Sequence, residues 1–321
     1  MAIGVLVPPY DAQPGHPSDK PIGRAALRLE AEGLAVVFGH EAVDGALRGV
    51  RATPDGWREV PPTPVSACYD RFPSRSRAEA YGALRAGLGA VPLGNPPELV
   101  ELCADKWACQ LALQAAGIEA LPEQVDTGFD DALARWGSAF LKPRYGAFGT
   151  GVRRLQRGQE VPRQVEGPLG TPEPALLQRA VPPPKGWAGV ACRVLVQRTP
   201  EGGWWAEHPV ARRSRTDCVV NASRGAEVVP LAEGFPDALQ PTRDLAIASA
   251  EALAAGEMGD WLVEVGVDVV LDEQLAPWVV EVNSRPRGRL EALLPSDPRW
   301  MEAHVAACAR PLRRLAAMSR R

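Results

Sequence analysis

Two apolar segments near the C-terminus, WLVEVGVDVVLD at 261–272 and PWVVEVNSR at 277–285, carry acids on strands that otherwise read as core. Alternation along the second strand places Glu281 and Asn283 on one face, with Val280 and Val282 on the other. Burying an acid and an amide together is costly unless something pairs them. Asp268 stands in the same situation, Glu264 alternates with it, and Asp272 reads as a turn residue. Asp268, Glu281 and Asn283 offer three hard oxygen donors of the kind that suits Mg2+. The same groups would also serve as edge-strand acceptors or turn caps, and the residues alone leave both readings open.

The rest of the chain reads as alternating strands and helices. IGVLVP at 3–8 is a buried strand, IGRAALRLEAEG at 22–33 a helix stopped by Gly33, and LAVVF at 34–38 a second strand. Strand, helix, strand implies an α/β lobe with a partly parallel sheet. WREVPPTPVSACYDRFPSR at 57–75 is too proline-rich for a long helix and reads as a short strand at 65–69 leading into a loop with Asp70, Arg71 and Arg75. A helix follows at 76–88 and a short strand at 90–93. The strongest helix pattern covers 95–118, with Asn95 as cap and Asp105-Lys106 as the point where it would divide. Strands are expected at 139–143 and 152–156, with GTPEP and VPPPKG as loops around the apolar run ALLQRAV. VACRVLVQR and GGWWAEHPVARR pair across the turn TPEGG, and a helix covers 240–255. The expected segments are 1–94, 95–175 and 176–321.

KPRYGAFGTG at 142–151 places Gly146, Gly149 and Gly151 between two apolar strands. Such a hairpin can close its amides over phosphate oxygens, with Lys142 as a point charge at its base, although an ordinary flexible hairpin has the same composition. It is neither a P-loop nor a glycine fingerprint opening a helix. Lys106 lies in the long helical region; two lysines and the hairpin together could neutralise a triphosphate, which none does well alone. Arg212, Arg213 and Arg215 form a basic patch that reads either as a solvated hairpin end or as a site suited to carboxylates. Of Trp204 and Trp205, strand alternation puts one ring on each face.

A composition of 45% hydrophobic and 23% charged residues is that of a globular chain. With 36 basic and 39 acidic residues the formal charge is -3, which speaks against nucleic acid or an anionic membrane as partner. No run of about 18 apolar residues occurs, and the start has no basic leader, so a cytoplasmic protein is expected. The six cysteines form no CxxC pair and read as small core residues rather than a zinc site or disulfide frame. The oligomeric state, a homo-oligomer included, is left open.

Taken in order, Lys106, Lys142 with its glycines, Arg193, Asp268 and Glu281-Val282-Asn283 resemble the motifs of the ATP-grasp superfamily. CRVLVQRTPEGGWW, VARR and VVNASRGAEVVPL look like its endospore coat-associated branch, itself similar to glutathione synthetase and RimK-like ligases. The resemblance covers roughly 95–290, and YDRFPSR at 69–75 looks like that branch's N-terminal lobe. It implies an α/β ATP-grasp fold, in which an N-terminal α/β lobe precedes two α+β lobes sandwiching ATP. It also implies a carboxylate–amine ligase that forms an amide through an acyl phosphate and releases ADP and phosphate. Lys106 and Lys142 would contact ATP phosphates under a lid of Gly146, Gly149 and Gly151, and Gln178, Arg179, Ala180 and Val181 would face the adenine. Arg193 and Arg212 would face the transferred phosphoryl group, Asn221 would sit near the reaction centre, and Asp268, Glu281 and Asn283 would hold Mg2+. The general base for the amine would be Glu281, or substrate preorganisation would suffice; Glu264, by its alternation with Asp268, reads as a supporting acid or an adenosine contact. Arg71, Arg75 and Arg213 are the candidates for binding substrate, which would be small-molecule or short-peptide carboxylates and amines. The chain departs from the pattern at Cys192, where the branch has an acid, at Ser223-Arg224-Gly225, and in the hinge QRAVPPP, which lacks an acid for the ribose.

Overall fold

The computed structural model describes residues 2–8, 17, 20–72, 77–146, 149–167, 170–221, 225–256, 259–286, 289–294 and 297–320. Three sheets organise it. The first is built from β1 (Ala2–Leu6), α1 (Pro21–Ala31), β2 (Ala35–Val43), β3 (Ala46–Thr53), β4 (Gly56–Pro64), β5 (Ala67–Asp70), α2 (Ala78–Leu88) and β6 (Leu93–Gly94). Its order is β4-β3-β2-β1-β5-β6, with parallel pairing from β2 through β1 and β5 to β6. β1 is buried along its whole length, as a strand covered on both faces must be. Sequence patterning missed β3 and β4. β4 tolerates its prolines because it is the outer strand, and Pro61 and Pro62 fall where its register against β3 shifts.

The chain continues through α3 (Pro97–Ala104), α4 (Lys106–Ala115), β7 (Gln124–Val125), α5 (Phe129–Trp136), β8 (Ser138–Pro143), β9 (Arg153–Gln156), β10 (Gln164–Glu166) and β11 (Pro172–Arg179). The long helix divides at Asp105, whose backbone is extended and whose carboxylate caps α4. Asn95 does not cap α3, which starts after Pro96; it is buried at φ 61°. The second sheet, β10-β11-β8-β9 with β7 on β11, closes its own core around Phe129, Leu133, Leu141, Leu155 and Leu177. β11 begins at Pro172, within the segment GTPEP expected as loop.

The third sheet holds β12 (Gly189–Arg198), β13 (Trp204–Ala206), β14 (Val210–Ser214), β15 (Glu227–Pro230), β16 (Glu264–Leu271) and β17 (Pro277–Asn283), with α6 (Leu231–Gly234) and α7 (Leu239–Leu253) between β15 and β16. It is antiparallel in the order β15-β14-β12-β16-β17, and the expected single strand at 202–213 is two, interrupted at 207–209 where Pro209 has no N–H to donate. α3 and α4 pack on this sheet, sharing a core of Leu99, Leu113, Val194, Val196, Leu253, Val267 and Val269. The last helix, α8 (Trp300–Met318), goes elsewhere: Val305, Leu312 and Leu315 fill the core of the first sheet beside Ile3, Val5 and Leu29. The expected segments at 95–175 and 176–321 are therefore each shared between two cores.

Candidate functional site

Register places the chemistry. Arg193 on β12 lies opposite Asp268 on β16, which lies opposite Glu281 on β17, so three charged side chains form one row across three strands. Asn283 extends the row, donating through Nδ2 to Asp268 Oδ2 at 3.2 Å and Glu281 Oε1 at 3.0 Å. Arg193 grips Asp268 with two nitrogens, Nε to Oδ1 at 2.6 Å and Nη2 to Oδ2, and Arg212 from β14 donates to Oδ1 at 3.0 Å. Burial alone would raise the Asp268 carboxyl, but the Arg193 and Arg212 charges hold it down at about 2. Gly266 makes room: a Cβ there would stand 3.1 Å from Arg193 Nη1 and 2.7 Å from the Pro286 ring.

A β-bulge changes the faces of β17. Asp268 pairs with Glu281 but Val269 pairs with Val279, which leaves Val280 as the extra residue. Val279 and Val282 are buried in the core, and Val280 lines the cleft beside Glu281 rather than the opposite face as alternation implied. The Val280 carbonyl is thereby presented to Lys142, whose Nζ donates to it at 3.4 Å.

Lys142 is only 6% exposed on β8, and its other acceptor is Gln178 Oε1 at 3.0 Å. Burial, with the nearby Lys106 charge adding to it and Glu281 opposing, lowers the ammonium to about 7. Lys106 opens α4 and donates from Nζ to the Gly146 carbonyl at 2.7 Å. Gly151, at φ +71°, accepts no side chain, since a Cβ would meet the Glu166 carbonyl oxygen at 2.4 Å. A Cβ on Gly149 would lie 3.8 Å from Asn221 Nδ2, so the hairpin reaches across to the third-sheet loop that carries Asn221.

Between the second and third sheets runs a cleft lined by Phe140, Gln178 and Val181 on one side and Val190, Leu271 and Val280 on the other. In the hinge the Arg179 N–H donates to Glu123 O and the Ala180 N–H to Ser138 O, so both amides serve the second sheet. The Arg179 guanidinium lies 5.8 Å from the Trp278 ring. Cys192 faces the core behind Arg193, and burial pushes its thiol up to about 12.

Other expected residues are engaged elsewhere. The Arg71 guanidinium donates to Tyr69 Oη at 3.0 Å, Glu264 Oε1 at 3.3 Å and Pro286 O at 2.7 Å, tying the first sheet to the third. Glu264 belongs to that junction, accepting also from Gln197 Nε2 at 2.8 Å, and burial raises its carboxyl. This corrects its reading as an adenosine contact. Arg213, next along β14 from Arg212, turns to the other face, paired with Glu227 and stacked 4.7 Å over Trp187. Trp204 lies against the core while Trp205 is 44% exposed, as alternation implied. Arg75, Ser223 and Arg224 lie outside the described residues.

Sequence reasoning missed three groups. Asn95 donates to Glu264 O at 2.7 Å and accepts from Val263 N at 2.9 Å, pinning the entry to β16. Arg285 pairs with the buried Asp70, which also accepts from Tyr81 Oη at 2.6 Å. Asp105 collects Arg144 and Tyr145. Only Asp105 carried a signal, its place immediately before Lys106.

The chain is similar to several known proteins. Residues 174–300 match the family described as YheC/D like ATP-grasp. The endospore coat-associated protein YheD of Bacillus subtilis (strain 168) is 23% identical over 299 residues, covering 81% of this chain and 66% of that relative. D-alanyl-alanine synthetase A of Vibrio cholerae superposes with a TM-score of 0.56 at 16% identity, over 97% of this chain and 98% of that one. The ATP-grasp ligase PsnB, in complex with a phosphomimetic variant of its minimal precursor, Mg and ADP, gives 0.54 at 15% identity, over 95% and 98%. The fold is that of the ATP-grasp ligases. Among the described residues no helix is long and apolar enough to cross a membrane.

Proposed function

We propose that the chain is an ATP-dependent carboxylate–amine ligase, forming an amide through an acyl phosphate with release of ADP and phosphate. The observation that carries this reading is convergence on one cleft: Lys142 and the glycine hairpin on the second-sheet wall, and Lys106 with the Arg193–Asp268–Glu281–Asn283 row on the third-sheet side. Asp268 and Glu281 would hold Mg2+, because their carboxylates face each other across β16 and β17 and favour a cation between them; Asn283, which here turns Nδ2 to both, would join by presenting its amide oxygen instead. Magnesium would neutralise charge on the ATP phosphates.

The chain's own residues do the rest. Lys106 and Lys142, with the amides around Gly146, Gly149 and Gly151, would bind the phosphates and exclude water from the activated acid. Gln178 to Val181 would border the adenine. Arg193 and Arg212, fixed by Asp268, would stabilise charge on the transferring phosphoryl group, with Asn221 beside the reacting carboxyl. Glu281 would take the proton from the attacking amine. Arg71 and Arg213 have other partners, so Arg75 is the remaining candidate for the substrate carboxylate. Relatives named for joining alanines or for acting on a precursor support small-molecule or short-peptide substrates.

The test offers pooled amino acids, short peptides and amines with Mg-ATP and seeks, by mass spectrometry, a product lighter than its precursors by one water. ADP with phosphate is expected, and hydroxylamine should trap the activated acid as a hydroxamate. AMP formation would rule the mechanism out. One observation favours a second reading, nucleotide binding without turnover: both Asp268 oxygens are already held by guanidiniums. ATP binding with no product in any screen would support it, and a stable phosphorylated acceptor would indicate a phosphotransferase.

A further inference from the structure

Asp105 receives more donors than a helix cap needs. Its Oδ1 accepts from Trp107 N at 3.1 Å and Ala108 N at 3.2 Å, which completes the cap of α4. It accepts in addition from Arg144 Nε at 2.8 Å and, through Oδ2, from Arg144 Nη2 at 2.6 Å and Tyr145 Oη at 3.0 Å. The backbone follows the same path: Lys106 N donates to Arg144 O at 3.2 Å, and Lys106 Nζ to Gly146 O at 2.7 Å. These bonds cross between two separately packed bodies. α4 is part of the third-sheet core through Cys109 and Leu113, whereas residues 144–146 leave β8 of the second sheet, which has its own core.

We propose that Asp105 is a positioning residue that clamps the base of the glycine hairpin to the start of α4, and so sets where Lys106 and the hairpin meet a bound triphosphate. The second half of this statement rests on the nucleotide reading above; the clamp itself does not. An asparagine or serine would cap α4 equally well, and only a carboxylate matches the two-nitrogen grip of Arg144. The Asp105 and Arg144 side chains are 15% and 28% exposed, so solvent screens the pair only in part. Lys106 Nζ, donating to a neutral carbonyl, can exchange that acceptor for a phosphate oxygen while its backbone stays fixed by Arg144.

The test uses Asp105→Asn, which keeps the cap and removes the charge, Arg144→Gln, and the double variant, all in the full chain. Hydrogen exchange at residues 149–156 is followed without nucleotide, and ATP dissociation by stopped flow. Each single variant should speed both about tenfold, the effect of losing one charge-assisted hydrogen bond, and the double should be no worse than either single. Unfolding midpoints should differ little, because the cap is retained. Unchanged exchange, or single effects that simply add in the double, would overturn the clamp. If exchange responds as stated but the wild-type chain binds no ATP, the clamp stands and the ligase reading fails.

Discussion

The second and third sheets face one cleft and hold their polar groups in opposite ways. On the third, Asp268 is buried with Arg193 and Arg212 as protein counter-charges, and its carboxyl is held at about 2. On the second, Lys142 is equally buried but its acceptors are the neutral Gln178 side chain and Val280 carbonyl, and its ammonium is lowered to about 7. At Asp268 one wall is electrostatically complete within the protein, whereas the other holds a cation that an anion would stabilise strongly. The difference puts protein-internal charge pairing on the third sheet and a cation with neutral acceptors on the second.

The largest effect should come from breaking the complete wall. Asp268→Asn leaves two buried guanidiniums without their carboxylate and should cost about 3–5 kcal/mol of stability, besides abolishing turnover. Glu281→Gln should remove turnover with less than about 1 kcal/mol lost, since Arg193 keeps its two-nitrogen grip on Asp268 and an amide oxygen can still accept from Asn283. Denaturant titration beside ADP release separates the two. Equal stability in both variants would mean that the row is not preorganised.

Next comes the responsive wall. Lys142→Met should reduce turnover by about a hundredfold or more. It should also alter the pH dependence of folding. Lysine titrates near 10.5 when unfolded and about 7 here, so between those values the unfolded chain binds more protons. Wild-type stability should therefore rise with pH from about 7 to about 10.5 through this group, and the methionine variant should lose that slope. A phosphate beside Lys142 would raise its pKa again, so ATP binding near pH 8 should take up a proton, measurable by calorimetry in buffers of different ionisation enthalpy. Binding without proton uptake would move the phosphates away from Lys142.

The hairpin offers a smaller contrast within the second sheet. Gly151→Ala drives a methyl into the Glu166 carbonyl and should cost about 2–3 kcal/mol. Gly149→Ala meets only ordinary contacts at 3.7 and 3.8 Å, so it should cost about 1 kcal/mol, from its positive φ alone. Thermal melts would show whether the two differ. The smallest effect is expected at Arg213→Ala, where the Glu227 partner is 54% exposed: about 0.5 kcal/mol, with turnover unchanged. A large loss of turnover there would put Arg213 back among substrate contacts.

What the sequence determined by itself was local chemistry. Alternation and residue type marked Asp268, Glu281 and Asn283 as polar groups on buried strands, the glycines at 149 and 151 marked a hairpin that needs positive φ, and Asp105-Lys106 marked a helix break. These are properties of a few neighbouring residues, and they persist whatever the chain does elsewhere. Only the tertiary structure decided which groups meet. Register between β12, β16 and β17 set Arg193 against Asp268 and Asp268 against Glu281, and register is fixed by the packing of the whole sheet. One extra residue in β17 turned Val280 to the cleft against its own alternation. Single-residue alternation sent Arg212 to the site and Arg213 behind it, and α8 closed the core of a sheet that begins some three hundred residues earlier. Contacts between residues distant in the chain depend on the summed packing of every element between them, which no short window of sequence contains.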